Sequence, residues 1–272
     1  MKETRSEVAR RTAKGGIDAE DMVAAKFNNW LEDLDAQRWL RAMSYNLALI
    51  RSIEADTVGG LSEKADVEVR VAVRTGRKRK GRADGSETIE NIQVKKVSNA
   101  SGSNQMERRH VDKYIEPWHM PVGVARTLQY FTGDLAPCID NPTDKRRMYM
   151  DEMSQNQRDE LKAFLEENMV MIISDITRGR GRYAVEWMLV IREYKDGDGA
   201  IHYDDILLSI NEVINYYVGD HSVDFPPSRK DGTRAGIRMG RVTIQRKGGD
   251  DPCCLQFKSD PSKLLELKKL FH

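Results

Sequence analysis

Asp66, Gln93 and Lys95 are the residues of this 272-residue chain whose types and spacing suit a defined chemistry. Asp66 opens the segment DVEVRVAV, while Gln93 and Lys95 stand two apart in IENIQVKKV. An aspartate offers a hard anionic oxygen to Mg²⁺, and a glutamine adds a neutral carbonyl oxygen. Residue 94 points the other way from its neighbours, so the Val94 side chain anchors the strand and its backbone carbonyl is available as a third ligand. Lys95 shares the face of Gln93 and can hold an attacking water and a phosphate oxygen. The set suits metal-assisted attack of water on a phosphodiester. A surface hairpin with a merely polar outer face would carry the same residues, and for D…QxK alone that reading prevails, because so short a motif recurs by chance.

Two elements must position these groups. Residues 66–73 alternate apolar and polar with period two, and Ile89 to Val97 repeats the pattern, with Ile92, Val94 and Val97 facing the core. Between them TGRKRKGRADGSET carries Asp84-Gly85, a hairpin turn signal. Folded back, the strands bring Asp66 near Gln93 and Lys95 on one face. Upstream, Asp18 to Trp39 reads as an amphipathic helix capped by Asp18, and Gln37 to Ile53 as a second helix. Glu20, near the start of the first, could face the metal site or simply favour the helix dipole.

Downstream, SNASGSNQMERRH reads as a loop, and residues 111–131 as two helices broken at Pro117 and Pro121. Ser154 caps a helix over 155–168. The apolar run Met169 to Ile176 predicts a strand buried on both faces, followed by the turn Arg178-Gly-Arg-Gly-Arg182, which could clamp phosphates, and a second buried strand over 184–192. Residues 206–218 pass from strand to helix. Val242 and Ile244 mark a strand within GRVTIQRKGGD, residues 252–257 an edge strand, and 262–271 a short terminal helix.

Net charge is +1, yet the charge is unevenly spread. Seven basic residues and no acid lie between Arg70 and Arg82; seven more lie between Arg229 and Lys247 against the single acid Asp231. Such clusters can track a phosphate backbone, or form ordinary solvated faces. Asn104 and Gln105 have amides suited to base edges, and Arg241, Gln245, Arg246 and Lys247 have the donors that major-groove edges need. No run approaches the ~20 apolar residues of a spanning helix, so no membrane is expected and the default location is cytoplasmic. Cys138, Cys253 and Cys254 form no C-x-x-C pair and read as reduced thiols. The five histidines lack metal-ligand spacing, and no nucleotide-binding glycine loop or G-x-S-x-G elbow appears.

Taken together, several strings carry a resemblance: TAKGGIDAEDM, FNNW, AQRWL, NIQVKKVSN, FTGDLAP, DKRRMYM, DITRGRG, AVEWMLV, INEV, GRVTIQRKGGD and LQFK, in order from residue 12 to about residue 260. The chain resembles the small type II restriction endonucleases that cut GCGC, a branch of the PD-(D/E)xK superfamily. It departs from that pattern in carrying Gln93 where most members have an acid, Ala65 before the aspartate, and a longer basic hairpin turn. The resemblance implies an α/β fold with a mixed central sheet flanked by helices, restriction-endonuclease-like. It implies one endonuclease domain over 1–272, with N-terminal helices at 18–53, a catalytic hairpin at 64–98 and a DNA-reading region at 229–258. It also implies Asp66, Gln93 and Lys95 as the catalytic set, Asp66, Gln93 and Val94 as the Mg²⁺ ligands, and 104–105 and 241–247 against double-stranded DNA. A DNA methyltransferase protecting host sites is the implied functional partner, with the enzyme a monomer or homodimer. The alternatives are a DNA-binding protein without catalysis and a repair or nicking nuclease without a fixed sequence.

Overall fold

The structure is a computed structural model and describes residues 5–59, 63–74, 85–97, 104–195, 197–198, 201–226, 236–247 and 253–270. The basic hairpin turn at 75–84 lies outside these residues, as do 98–103, Arg229, Lys230, Arg234 and 248–250.

In chain order the elements are α1 (Arg5–Asn28), α2 (Leu34–Ala42), β1 (Ile50–Thr57), β2 (Val67–Val73), β3 (Ser86–Val97), β4 (Asn104–His110), α3 (Asp112–Ile115) and α4 (Val122–Thr132). There follow α5 (Gln155–Glu167), α6 (Met169–Arg178), β5 (Trp187–Lys195), β6 (Ile201–Ser209), α7 (Ile210–Val218), β7 (Val223–Asp224), β8 (Ile237–Met239), β9 (Val242–Arg246) and β10 (Cys254–Ser259), then a 3-10 segment, Pro261–Leu270. They form two compact units, one of residues 1–102, 178–213 and 261–272, the other of 103–177 and 214–260.

The first unit is built on a mixed five-stranded sheet of order β1-β2-β3-β5-β6. Only β3 and β5 run parallel; β1, β2 and β3 are joined antiparallel, as are β5 and β6. One face is apolar, because Val67, Val69 and Val71 of β2 and Ile92 and Val94 of β3 recur with period two. On it pack Ala19, Val23 and Phe27 of α1, spaced by four, and Ala36, Trp39 and Leu40 of α2. Burying each large aliphatic side chain contributes about 1.5–3 kcal/mol. The other face is covered as well: Glu68 and Asn91, polar positions of the same strands, are 5% exposed.

Local chemistry moves the helix boundaries away from those the periodicity predicts. Helix α1 runs through Gly15 and Gly16 and ends at Asn28, so Asp18 is not its cap. Asp33 caps α2 instead, its carboxylate accepting the Ala36 N–H at 2.9 Å. Residues 50–53, expected at the end of a helix, open the edge strand β1 instead. The Asn28 side chain secures the junction, donating to the Ala55 carbonyl and accepting its N–H, both at 2.8 Å.

The second unit holds an antiparallel sheet of order β4-β10-β9-β8-β7, a second sheet beyond the single one expected. Residues 104–110 are a strand rather than a loop, pairing with β10. Strand β10 lies between β4 and β9, so 254–259 is not at an edge. The run Met169 to Ile176 is helical: Met169, Ile172, Ile173 and Ile176 are buried at helical spacing while Val170 is 53% exposed. An eight-residue apolar run fits a buried strand or one side of a helix equally well. The capping box of α5 forms as expected, with Ser154 and Gln157 reciprocally bonded. At the turn into β9, Gly240 (φ +53°) comes so close to α7 that a Cβ there would lie 2.4 Å from the Tyr217 and Val218 carbonyls.

Candidate active site

Strands β2 and β3 pair in the register Val67↔Ile92, which sets residue 66 beside residue 93. The Asp66 N–H donates to the Ile92 carbonyl at 2.8 Å, and its own carbonyl accepts the Val58 N–H at 2.9 Å. Its carboxylate then reaches across the strand end, Oδ2 accepting the Val94 N–H at 2.8 Å. In an extended strand a residue's N–H and C=O point the same way, so the Val94 carbonyl is directed to the same side. Gln93 is 7% exposed and its Nε2 donates to the Lys64 carbonyl at 3.1 Å, which leaves Oε1 as the other end of the amide.

Electrostatics link the other groups. Burial raises the Asp66 carboxyl above the ordinary carboxylate range, opposed by Lys95, the Val94 N–H and Lys64. The Glu20 carboxyl is raised too, by burial first and then by the charge of Asp66, against the attraction of Lys95. Glu20 sits well inside α1, far from the helix start, so the dipole explanation fails, and its carboxyl feels the charges of Asp66 and Lys95. The sequence signal was weak: an acid on an amphipathic helix is common, and only packing aims it.

Two carboxylates, an amide oxygen and a backbone carbonyl are all hard oxygen donors, the kind Mg²⁺ takes. Both acids are held in a setting that disfavours their anionic forms, the deficit of positive charge that a divalent cation would fill. Among the described residues no group of three or more His, Cys, Asp or Glu is placed to hold a metal ion between them.

Behind the site, the turn 178–186 closes the polar face of the sheet. Arg182 Nη2 donates to Glu68 at 3.3 Å, and Asn91 Nδ2 donates to the Arg182 carbonyl at 2.8 Å and the Ala184 carbonyl at 3.2 Å. Arg70 Nη2 holds the other oxygen of Glu68 at 2.6 Å. At least Arg182 of the three turn arginines is thus committed to a buried acid.

The residues expected to read DNA separate within the second unit. Gln105 and Gln245 meet on one sheet face through Gln256: Gln245 Nε2 donates to Gln256 Oε1 at 2.8 Å, and Gln256 Nε2 donates to Gln105 Oε1 at 2.6 Å. Arg108, opposite Gln256 across the β4–β10 pair, and Lys258 add positive charge to that face. Arg246 alternates to the other side, where its Nε donates to the Thr132 carbonyl at 2.7 Å. Arg241 stacks its guanidinium 4.1 Å from the Tyr216 ring centre. Asn104 lies on β4 opposite Ser259, and the Lys247 N–H donates to the Cys254 carbonyl at 3.0 Å. Gln256 carries no signal of this role in the sequence, where its strand reads as an edge with nothing to mark its neighbours.

The mixed sheet thus sets an aspartate on one strand against Q-x-K on the next, with a helix carboxyl in electrostatic reach of both Asp66 and Lys95. The chain matches the family model of the R.HinP1I restriction endonuclease over residues 43–265 and belongs to that family, which makes it a type II site-specific endonuclease. Its fold is also similar to that of the restriction endonuclease MspI, crystallised in complex with its cognate DNA: TM-score 0.61, 13% identity, 94% of each chain covered. No curated protein matches in sequence. Enzymes of this type generally use divalent metal ions. Among the described residues no helix is long and apolar enough to cross a membrane.

Proposed function

We propose that the chain hydrolyses both strands of DNA in the presence of Mg²⁺ at a short palindrome, GCGC. The observation that carries the catalytic reading is the bond between Asp66 Oδ2 and the Val94 N–H at 2.8 Å, which draws the aspartate to the Q-x-K strand. Asp66, Gln93 through Oε1 and the Val94 carbonyl would hold the cation. Bound there, Mg²⁺ supplies Lewis-acid stabilisation of the phosphate and lowers the pKa of a water. Lys95 holds the attacking water and a non-bridging phosphate oxygen, and its charge offsets the negative charge that develops.

Specificity is assigned to the face of the second sheet where Gln105, Gln256 and Gln245 present amide donors and acceptors, with Arg108 and Lys258 setting register on phosphates and Asn104 contributing from the start of β4. Arg241 just before β9 and Arg246 and Lys247 at its end are assigned to further contacts with the DNA. GCGC rests on the resemblance of the quoted strings. The setting is a cytoplasmic restriction–modification pair with a cognate methyltransferase, the nuclease acting as a monomer or homodimer.

Plasmid incubated with the protein and Mg²⁺, followed by mapping of the ends, tests this. Double-strand breaks confined to one four-base sequence are expected, and loss of cutting in Asp66→Ala and Lys95→Ala. Retardation without cutting would indicate a binder, and scattered or single-strand cuts a repair or nicking nuclease.

A further inference from the structure

The Gln93 amide is a two-fold rotor whose ends differ: one attracts a cation and the other repels it. Its orientation depends on the Lys64 carbonyl, to which Nε2 donates at 3.1 Å. Lys64 in turn lies against Gly179, in the arginine-glycine turn. A Cβ built at Gly179 would stand 2.4 Å from Lys64 Cγ and 3.1 Å from its Cβ. The turn is anchored beside both catalytic strands: the Val185 N–H donates to the Arg178 carbonyl at 2.8 Å, Arg182 reaches Glu68, and Asn91 holds the Arg182 and Ala184 carbonyls. Glu68 is two residues beyond Asp66 and Asn91 two before Gln93, so these anchors share the face of the site.

We propose that Gly179 is a positioning residue for the metal site: seated on Lys64, it keeps the Lys64 carbonyl where it turns the Gln93 amide oxygen toward the divalent ion. The proposal rests on the metal reading of Asp66 and Gln93. Only a residue without a side chain can make this approach, and Gly179 also has φ +72°. Gly181 provides an internal control. It has φ +79° but no atom within 4 Å of a built Cβ, so alanine there brings the same backbone strain without the push on Lys64.

The test is calorimetric titration of Ca²⁺ into the full-length protein, alongside the half-saturating Mg²⁺ concentration for plasmid cleavage. Gly179→Ala is expected to weaken Ca²⁺ binding roughly tenfold, the scale of groups that orient a metal ligand, and Gly181→Ala by no more than about twofold. Lys64→Ala placed in the Gly179→Ala background removes the obstructing Cγ, and should restore Ca²⁺ binding to within about threefold of Lys64→Ala alone. In a Gln93→Glu background, where no amide has to be oriented, Gly179→Ala should have no further effect. Equal losses in Gly179→Ala and Gly181→Ala, or an undiminished Gly179 effect beside Glu at 93, overturn the positioning role alone. Should Gly179→Ala not fold, failure of the Lys64→Ala, Gly179→Ala pair to bind as Lys64→Ala does overturns it equally. A native protein that binds neither Ca²⁺ nor Mg²⁺ overturns the metal reading and this proposal together.

Discussion

Asp66 Oδ2 and the backbone N–H of Val94 lie 2.8 Å apart, joining two strands at the point where their ladder stops. The bond uses one carboxylate oxygen to aim the other. Asp66→Asn keeps the size of the side chain and removes its charge. We expect DNA cleavage to fall roughly 10³-fold or more, since several kcal/mol of charge stabilisation depend on the cation, while gel retardation of target DNA persists. Cleavage within tenfold of the native rate would exclude Asp66 as a metal ligand.

The raised carboxyls of Asp66 and Glu20 have a consequence for stability. A folded pKa above the unfolded value means the native state binds protons more tightly. The contribution is therefore present below the ordinary values, 3.8 and 4.5, and is lost as pH rises through the raised ones. In metal-free protein, Asp66→Asn should melt progressively higher than the native chain as pH goes from about 4 to about 7, and Mg²⁺ should close the gap at the upper end. Parallel Tm–pH curves would contradict this.

Gln256 joins Gln245 to Gln105, so its loss breaks a row rather than a single contact. In Gln256→Leu the preference for the target over sites altered at one base pair should drop about 10- to 100-fold. The comparison is made by competitive cleavage of matched oligonucleotides. An unchanged ratio would remove the row from the reading surface.

Away from the site, Asp205 on β6 accepts Trp39 Nε1 at 2.6 Å and Arg38 Nη2 at 2.8 Å, fastening α2 to the sheet. Asp205→Ala leaves the indole N–H, on a side chain 2% exposed, without its acceptor. A loss of about 1–3 kcal/mol in urea unfolding is expected. A loss below ~0.5 kcal/mol would mean that water replaces the carboxylate.

The sequence alone determined the two strands 67–73 and 89–97 and the register that sets Asp66 beside Q-x-K, because a period of two allows one assignment of faces once one set is apolar; Val97, of opposite parity to Ile92 and Val94, is buried outside their cluster. It also determined the capped helix α5, whose signal is wholly local. Where an apolar run is short, as at 169–176, strand and helix share the pattern, and only packing selected the helix. Whether Gln256 sits between Gln105 and Gln245, whether Glu20 feels the charge of Asp66, and whether Gly179 bears on Lys64 were decided by tertiary structure. Each depends on residues tens to more than a hundred positions apart, and no local propensity encodes a distance of that kind.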